Sequence, residues 1–182
     1  MRLIACAILV AAAAGCSPVT PWPSFYPAEY PEEAIEDVPR GKVALACRSC
    51  PADAPVAEVC AALYPLAKPR YCEGRTPDGR RGALVPVVLE YENTGGVRAL
   101  LPIRDAEIRV GDEVVAANGY YSDFGRDDYT SPGGSRSATV GFVVAEDVIR
   151  AAESFVIALP CPGHPGANLE FDFRARGADA SR

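Results

Sequence analysis

From Leu84 onward, apolar side chains return at every second residue, and that period restricts the chain to strands. The clearest instance is Asn168 to Ala175. Leu169, Phe171 and Phe173 fall on one side, and Glu170, Asp172 and Arg174 fall on the other. Successive side chains of an extended strand point to opposite faces, so such a segment buries one face and wets the other. The same period puts Val85, Val87, Leu89 and Tyr91 on one face of Leu84 to Asn93. It sets Ala106, Ile108 and Val110 against Glu107 and Arg109. It also turns Val140, Phe142 and Val144 inward from Thr139 to Ala145, and Phe155, Ile157 and Leu159 inward from Ser154 to Leu159. Gly111-Asp112 leads into a strand at Glu113 to Ala117, and a short strand is expected at Val97 to Leu101. Glu146 to Ala152 predicts a short helix, placed as a crossover because it is too short to cover a sheet.

The segment before this body, residues 42–80, is rich in cysteine. Lys42 to Arg48 predicts a strand with Val43, Leu45 and Cys47 on one face. Asp53 is placed to cap a helix over Ala54 to Leu63, which Pro65 stops. Pro77-Asp78-Gly79 is a turn signal. So many strands with one apolar face need a second sheet to cover them. The expected fold is therefore mainly β: an immunoglobulin-like, Greek-key β-sandwich over residues 81–176, with a short helix in an N-terminal cysteine-rich segment packed on it. Residues 177–182 are expected to form a disordered tail.

The N-terminus carries a different signal. Arg2 precedes Leu3 to Ala14, twelve residues of apolar character, and small residues lead into Cys16. That length suits a secretory signal and falls short of the roughly twenty residues a spanning helix needs. Ala13-Ala14-Gly15-Cys16 resembles the signal box of bacterial lipoproteins, although Ala13 stands where that box often has a larger aliphatic. The resemblance implies cleavage after residue 15, diacylation of Cys16 on sulfur and, usually, acylation on nitrogen. Ser17 rather than Asp follows, which in Gram-negative relatives of this pattern implies export to the outer membrane, facing the periplasm. Two or three acyl chains anchor stably where one is marginal. Loss of Arg2 with the leader leaves 17 basic side chains against 24 acidic ones. So acidic a protein, with no basic cluster, is a poor partner for nucleic acid.

Residues 16–41 are expected to be a lipidated, Pro-rich tether. Pro18, Pro21, Pro23, Pro27, Pro31 and Pro39 oppose helix interiors and central strands. Trp22, Phe25, Tyr26 and Tyr30 are unusual for a linker and are expected to dock on the domain or lie near headgroups.

With Cys16 acylated and Cys6 in the leader, five cysteines remain: Cys47, Cys50, Cys60, Cys72 and Cys161. An oxidising compartment favours structural disulfides, and two bridges with one thiol left over is the simplest arithmetic. The pairing stays open, and Cys161 either is the leftover or closes a bridge back to the N-terminal segment. A second chemistry is thiol redox. Ala46-Cys47-Arg48-Ser49-Cys50-Pro51 locally resembles the thioredoxin strand–CxxC–helix element, but Ala46 replaces its usual aromatic and the alternating strands and helices are missing. A copper-handling variant would add His164, three residues after Cys161. A four-thiolate zinc site fits poorly, because Cys60 and Cys72 are too far apart for a tight pair. No cofactor or resident metal is expected.

The best binding candidate is the loop holding Tyr120, Tyr121, Asp123, Phe124, Asp127, Asp128 and Tyr129. Aromatics with polar handles suit protein recognition. Asp123, Asp127 and Asp128 do not have the spacing of an EF-hand calcium loop. There is no G-x-S-x-G, H-E-x-x-H or phosphate-cradling glycine loop, so no catalytic residue is assigned. Over Leu84 to Ala175, the strand ending in Asn93-Thr94-Gly95, the Pro132-Gly133 turn and the strand Thr139-Val140-Gly141-Phe142-Val143-Val144 resemble immunoglobulin-like accessory domains of bacterial lipoproteins. The resemblance implies a structural or protein-binding role without catalysis. The partners it implies are the membrane, through Cys16, and an envelope protein.

Overall fold

The alternating segments pair into two antiparallel sheets, and their apolar faces meet between them. The computed structural model describes residues 23–29, 45–63, 70–117 and 129–176. In chain order the strands are β1 (Phe25–Pro27), β2 (Leu45–Ser49), β3 (Val56–Leu63), β4 (Arg70–Arg75), β5 (Arg81–Asn93), β6 (Ala99–Leu100), β7 (Glu107–Val110), β8 (Glu113–Ala116), β9 (Tyr129–Thr130), β10 (Ser135–Ala145), β11 (Ser154–Cys161) and β12 (His164–Ala175). Among the described residues the one α-helix, α1 (Glu146–Ala151), follows β10, and a 3-10 turn spans Ile103–Asp105. One sheet runs β1-β12-β11-β7-β8 and the other β10-β5-β3-β2, with β4 also paired to β5. β6 and β9 form a separate two-stranded ribbon.

The chain crosses from β5 to β7, returns from β8 to β10, and crosses again through α1 to β11. That is the Greek-key, immunoglobulin-like order expected of a β-sandwich. The inward residues match the alternation. Phe142, Phe171 and Ile157 are fully buried, and Val87, Leu89, Ile108 and Phe173 join them. Each such side chain contributes about 1.5–3 kcal/mol of burial.

Three expectations change. Residues 54–63 are not helical: Val56–Leu63 is β3, paired with β2 on one side and β5 on the other. Ala and Glu are good helix formers, but the pairing of β3 on both flanks, with Val56, Val59 and Ala61 buried, overrides that preference. Asp53 sits instead in the β2–β3 turn, where the Ala54 N–H bonds the Pro51 carbonyl at 2.9 Å. The face assigned to β2 is also offset by one residue. Ala46 is buried, while Cys47 lies on the outer face opposite Cys60. Finally, the docking expected of Phe25 takes the form of a strand, which anchors the tether partway along. β1 pairs with β12, and Phe25 packs edge-on against Phe155 at 4.8 Å. Trp22 and Tyr30, like residues 1–22 and 177–182, lie outside the described residues.

Candidate functional site

The ribbon of β6 and β9 stands at one end of the sandwich, held there by a buried polar knot. Asn93 ends β5 and is fully buried. Its side-chain amide donates to the Val97 and Thr130 carbonyls at 2.8 Å each, and its side-chain oxygen accepts the Gly95 N–H at 3.0 Å. Its backbone bonds Gly134 and Gly133. Thr130, also buried, shares a 2.5 Å hydroxyl contact with Tyr91. Asn93-Thr94-Gly95 is thus a clasp: it ties the end of β5 to β9 and to the Pro132-Gly133 turn. An unsatisfied polar group here would cost about 1–3 kcal/mol, so the fully paired amide fixes the ribbon's position.

Outside this knot the ribbon is apolar and exposed. Among the described residues, the exposed large hydrophobic side chains are Val97, Leu100, Tyr129 and Val114, and three of these four belong to or adjoin the ribbon. The Arg98 guanidinium lies over the Tyr129 ring, 5.6 Å from its centre. Arg136 reaches the Tyr129 carbonyl at 3.2 Å. An aromatic, aliphatic and arginine rim of this kind has the composition of a protein contact surface.

Of the loop expected to bind, Tyr129 falls on this rim. Tyr120, Tyr121, Asp123, Phe124, Asp127 and Asp128 lie outside the described residues. Val97, Arg98 and Leu100 were not singled out by sequence, since only the pairing of β6 with β9 brings them beside Tyr129.

Among the described residues, four cysteines form two disulfides. Cys47 bonds Cys60, directly across the β2–β3 pair, with Cα atoms 4.0 Å apart. Cys50 bonds Cys161 across the two sheets, with Cα atoms 5.9 Å apart. Cys72 lies in β4. Cys47 and Cys50 therefore do not share a bond, as a CxxC redox couple requires. Cys47, Glu58 and Cys60 converge, but both sulfurs are consumed by the disulfide and offer no thiolate to a metal. The same holds for Cys161, which removes the soft ligand expected beside His164. His164 instead lies 3.5 Å from the Asp53 carboxylate, joining the β11–β12 turn to the β2–β3 turn.

Several charged groups elsewhere are paired structurally. Arg48 donates to the Glu170 carbonyl at 2.7 Å and to Glu29 at 2.9 Å, closing the β2 side of the sandwich onto β12. Burial opposes ionisation of Glu29, but the Arg48 hydrogen bond, a backbone hydrogen bond and the Arg48 charge together hold its carboxyl below the usual range. Arg80 bonds Glu113 at 2.5 Å and Asp78 at 2.6 Å, which raises its pKa.

No protein-family model matches the sequence. No curated protein matches it. Among solved structures, the chain is similar to a functionally unknown protein from Listeria monocytogenes EGD-e, with 10% identity over 75% of this chain and 90% of that one and a TM-score of 0.42.

Proposed function

We propose that the protein is a lipoprotein anchored through acylated Cys16, facing the periplasm from the outer membrane, whose sandwich has a structural or protein-binding role and no catalytic one. The observation that carries this reading is the pair of disulfides. Bonds of this kind form and persist in oxidising, exported compartments. They therefore support the same destination as the Ala14-Gly15-Cys16 box, from an unrelated part of the chain. Among the described residues no helix is long and apolar enough to cross a membrane, and an acyl anchor needs none. The binding role rests on the rim of Val97, Arg98, Leu100 and Tyr129, an exposed apolar surface held rigid by Asn93. The acidic charge supports a protein partner over nucleic acid.

Mass spectrometry of the mature chain tests the anchor. The expected species begins at Cys16 and carries two or three acyl chains, and Cys16→Ser moves the protein to the soluble fraction. A mature chain with an unmodified Cys16 thiol would overturn the reading. For the rim, Tyr129→Ala combined with Val97→Asp is expected to abolish recovery of the envelope protein that co-purifies from solubilised membranes. An unchanged yield would exclude the rim as the contact.

A further inference from the structure

The two long sides of the sandwich are finished differently. On one side Arg48 clamps β2 to β12, and Glu29 ties β1 to the same arginine. On the other side the sheets end in β8 and β10. The Ala117 N–H bonds the Ala106 carbonyl, which sets the ladder: residues 113, 115 and 117 turn their backbone groups toward β7. The N–H and C=O groups of Val114 and Ala116 then face outward, and among the described residues no strand pairs with them.

An open edge of this kind is a template for another strand, and proteins that avoid pairing guard it with Lys, Pro or a bulge. β8 reads Glu-Val-Val-Ala, pairs with β7 without a register shift, and leaves Val114 62% exposed. Beside it runs a groove of about 770 Å³, with Val114 to Ala117 on one wall and Thr76, Pro77 and Val143 on the other. β10, the other edge on this side, is less accessible because Gly141 and Phe142 at its middle are buried.

We propose that β8 is a self-association edge, on which a second copy of this chain pairs its own β8 antiparallel about a two-fold axis at Val115. The register is self-complementary. Val114 meets Ala116 of the copy in a hydrogen-bonded pair, and Ala116 meets Val114 in the same way. Val115 meets its own equivalent between them. The one charge in the strand, Glu113, falls opposite Ala117 of the copy and is already neutralised by Arg80, so no like charges meet. Two five-stranded sheets become one continuous sheet. A four-residue strand pair buries less than the roughly 1,000 Å² of a stable interface, so pairing is weak between free chains. Held together on one surface, as the anchor proposed above would hold them, the chains gain the effective concentration that weak pairing needs.

Cysteine cross-linking of the full chain in detergent micelles tests the register, with Cys72→Ser in every variant. Val115→Cys places two sulfurs face to face. Glu113→Cys places them about 13 Å apart, at the rise of an extended strand. The expected result is a disulfide dimer several-fold stronger for Val115→Cys than for Glu113→Cys. Adding Val114→Pro should abolish it, because proline deletes an outward N–H and leaves the β7 ladder intact. Equal cross-linking of the two cysteine variants would overturn the proposal. So would a Val115→Cys dimer that survives Val114→Pro in a chain whose thermal midpoint is unchanged. Mass at Cys16 is read independently, so failure of the pairing and failure of the anchor are separate results.

Discussion

Pro55 joins three turns that are far apart in the chain. Its carbonyl accepts the Gly95 N–H at 2.8 Å. A Cβ on Gly95 would lie 2.8 Å from the Pro55 Cα, and one on Gly163 would lie 2.5 Å from the Pro55 Cγ. Gly163 also holds a φ of 72°, in the left-handed region. Gly163→Ala should therefore destabilise twice over, by backbone strain and by collision, for a total of about 2 kcal/mol. A double-mutant cycle in thermal unfolding separates the two. Pro55→Ala should relieve the collision in the Gly163→Ala background and leave the strain. Purely additive costs would mean the ring does not obstruct the site. The need for glycine against Pro55 is not legible in the sequence, because that contact spans more than a hundred residues. Asp78 shows the opposite case, a local device that sequence does expose. The Thr76 hydroxyl and then the Arg80 guanidinium hold its carboxyl below the usual range. With the folded value depressed, the ionised group supports the turn fully above the unfolded value of about 3.9, and that support is lost as pH falls through the lower folded value. A carboxyl NMR titration should place the Asp78 midpoint below that of a free aspartate, and Thr76→Val should raise it. A midpoint unmoved by Thr76→Val would remove the hydroxyl from the explanation.

Elements were legible where one face is wet and the other dry. β7 and β12 carry that contrast in their sequences, and their inward residues lie where the period put them. β3 does not. Ala57 and Glu58 precede a run of Cys60, Ala61, Ala62 and Leu63 that fits either a helix or a strand, and only the β2 and β5 neighbours decide it. The disulfides act at this scale too. Cys47–Cys60 closes 13 residues within one hairpin, whereas Cys50–Cys161 closes 111 and joins the two sheets. In the chain-entropy account, stabilisation grows from about 3 kcal/mol for a 15-residue loop to about 4.7 kcal/mol for a 100-residue loop. Cys50→Ser with Cys161→Ala should therefore lower stability by about 1–2 kcal/mol more than Cys47→Ser with Cys60→Ala, measured by urea unfolding. Equal losses would mean that the inter-sheet bond adds nothing beyond what Arg48 and the core already enforce.

At the scale of the molecule, the sandwich was legible because its strands share one solution to burying their faces, while the rim and the β8 edge emerge only from which strands end each sheet. The same topology alters how far an anchored sandwich can stand from the lipid. A Pro-rich tether running to residue 41 would allow a long reach. β1 instead fixes the chain to β12 at Phe25, and the Arg176 N–H bonds the Ser24 carbonyl at 2.9 Å. Only the residues between Cys16 and Ser24 then separate the proposed anchor from the domain. At no more than about 3.6 Å per residue, that span reaches about 30 Å. The edge of the sandwich should therefore sit within about 30 Å of the bilayer surface, a height that neutron reflectometry on a supported membrane resolves. Phe25→Ala removes the edge-on contact with Phe155 and one buried aromatic from a three-residue strand, so β1 should detach. The first firm attachment then moves to β2 at Leu45, and the permitted height more than doubles. A wild-type layer already farther out than 30 Å would show that β1 does not hold the domain down. An unchanged height in Phe25→Ala would place the restraint on Arg48 and Glu29 instead.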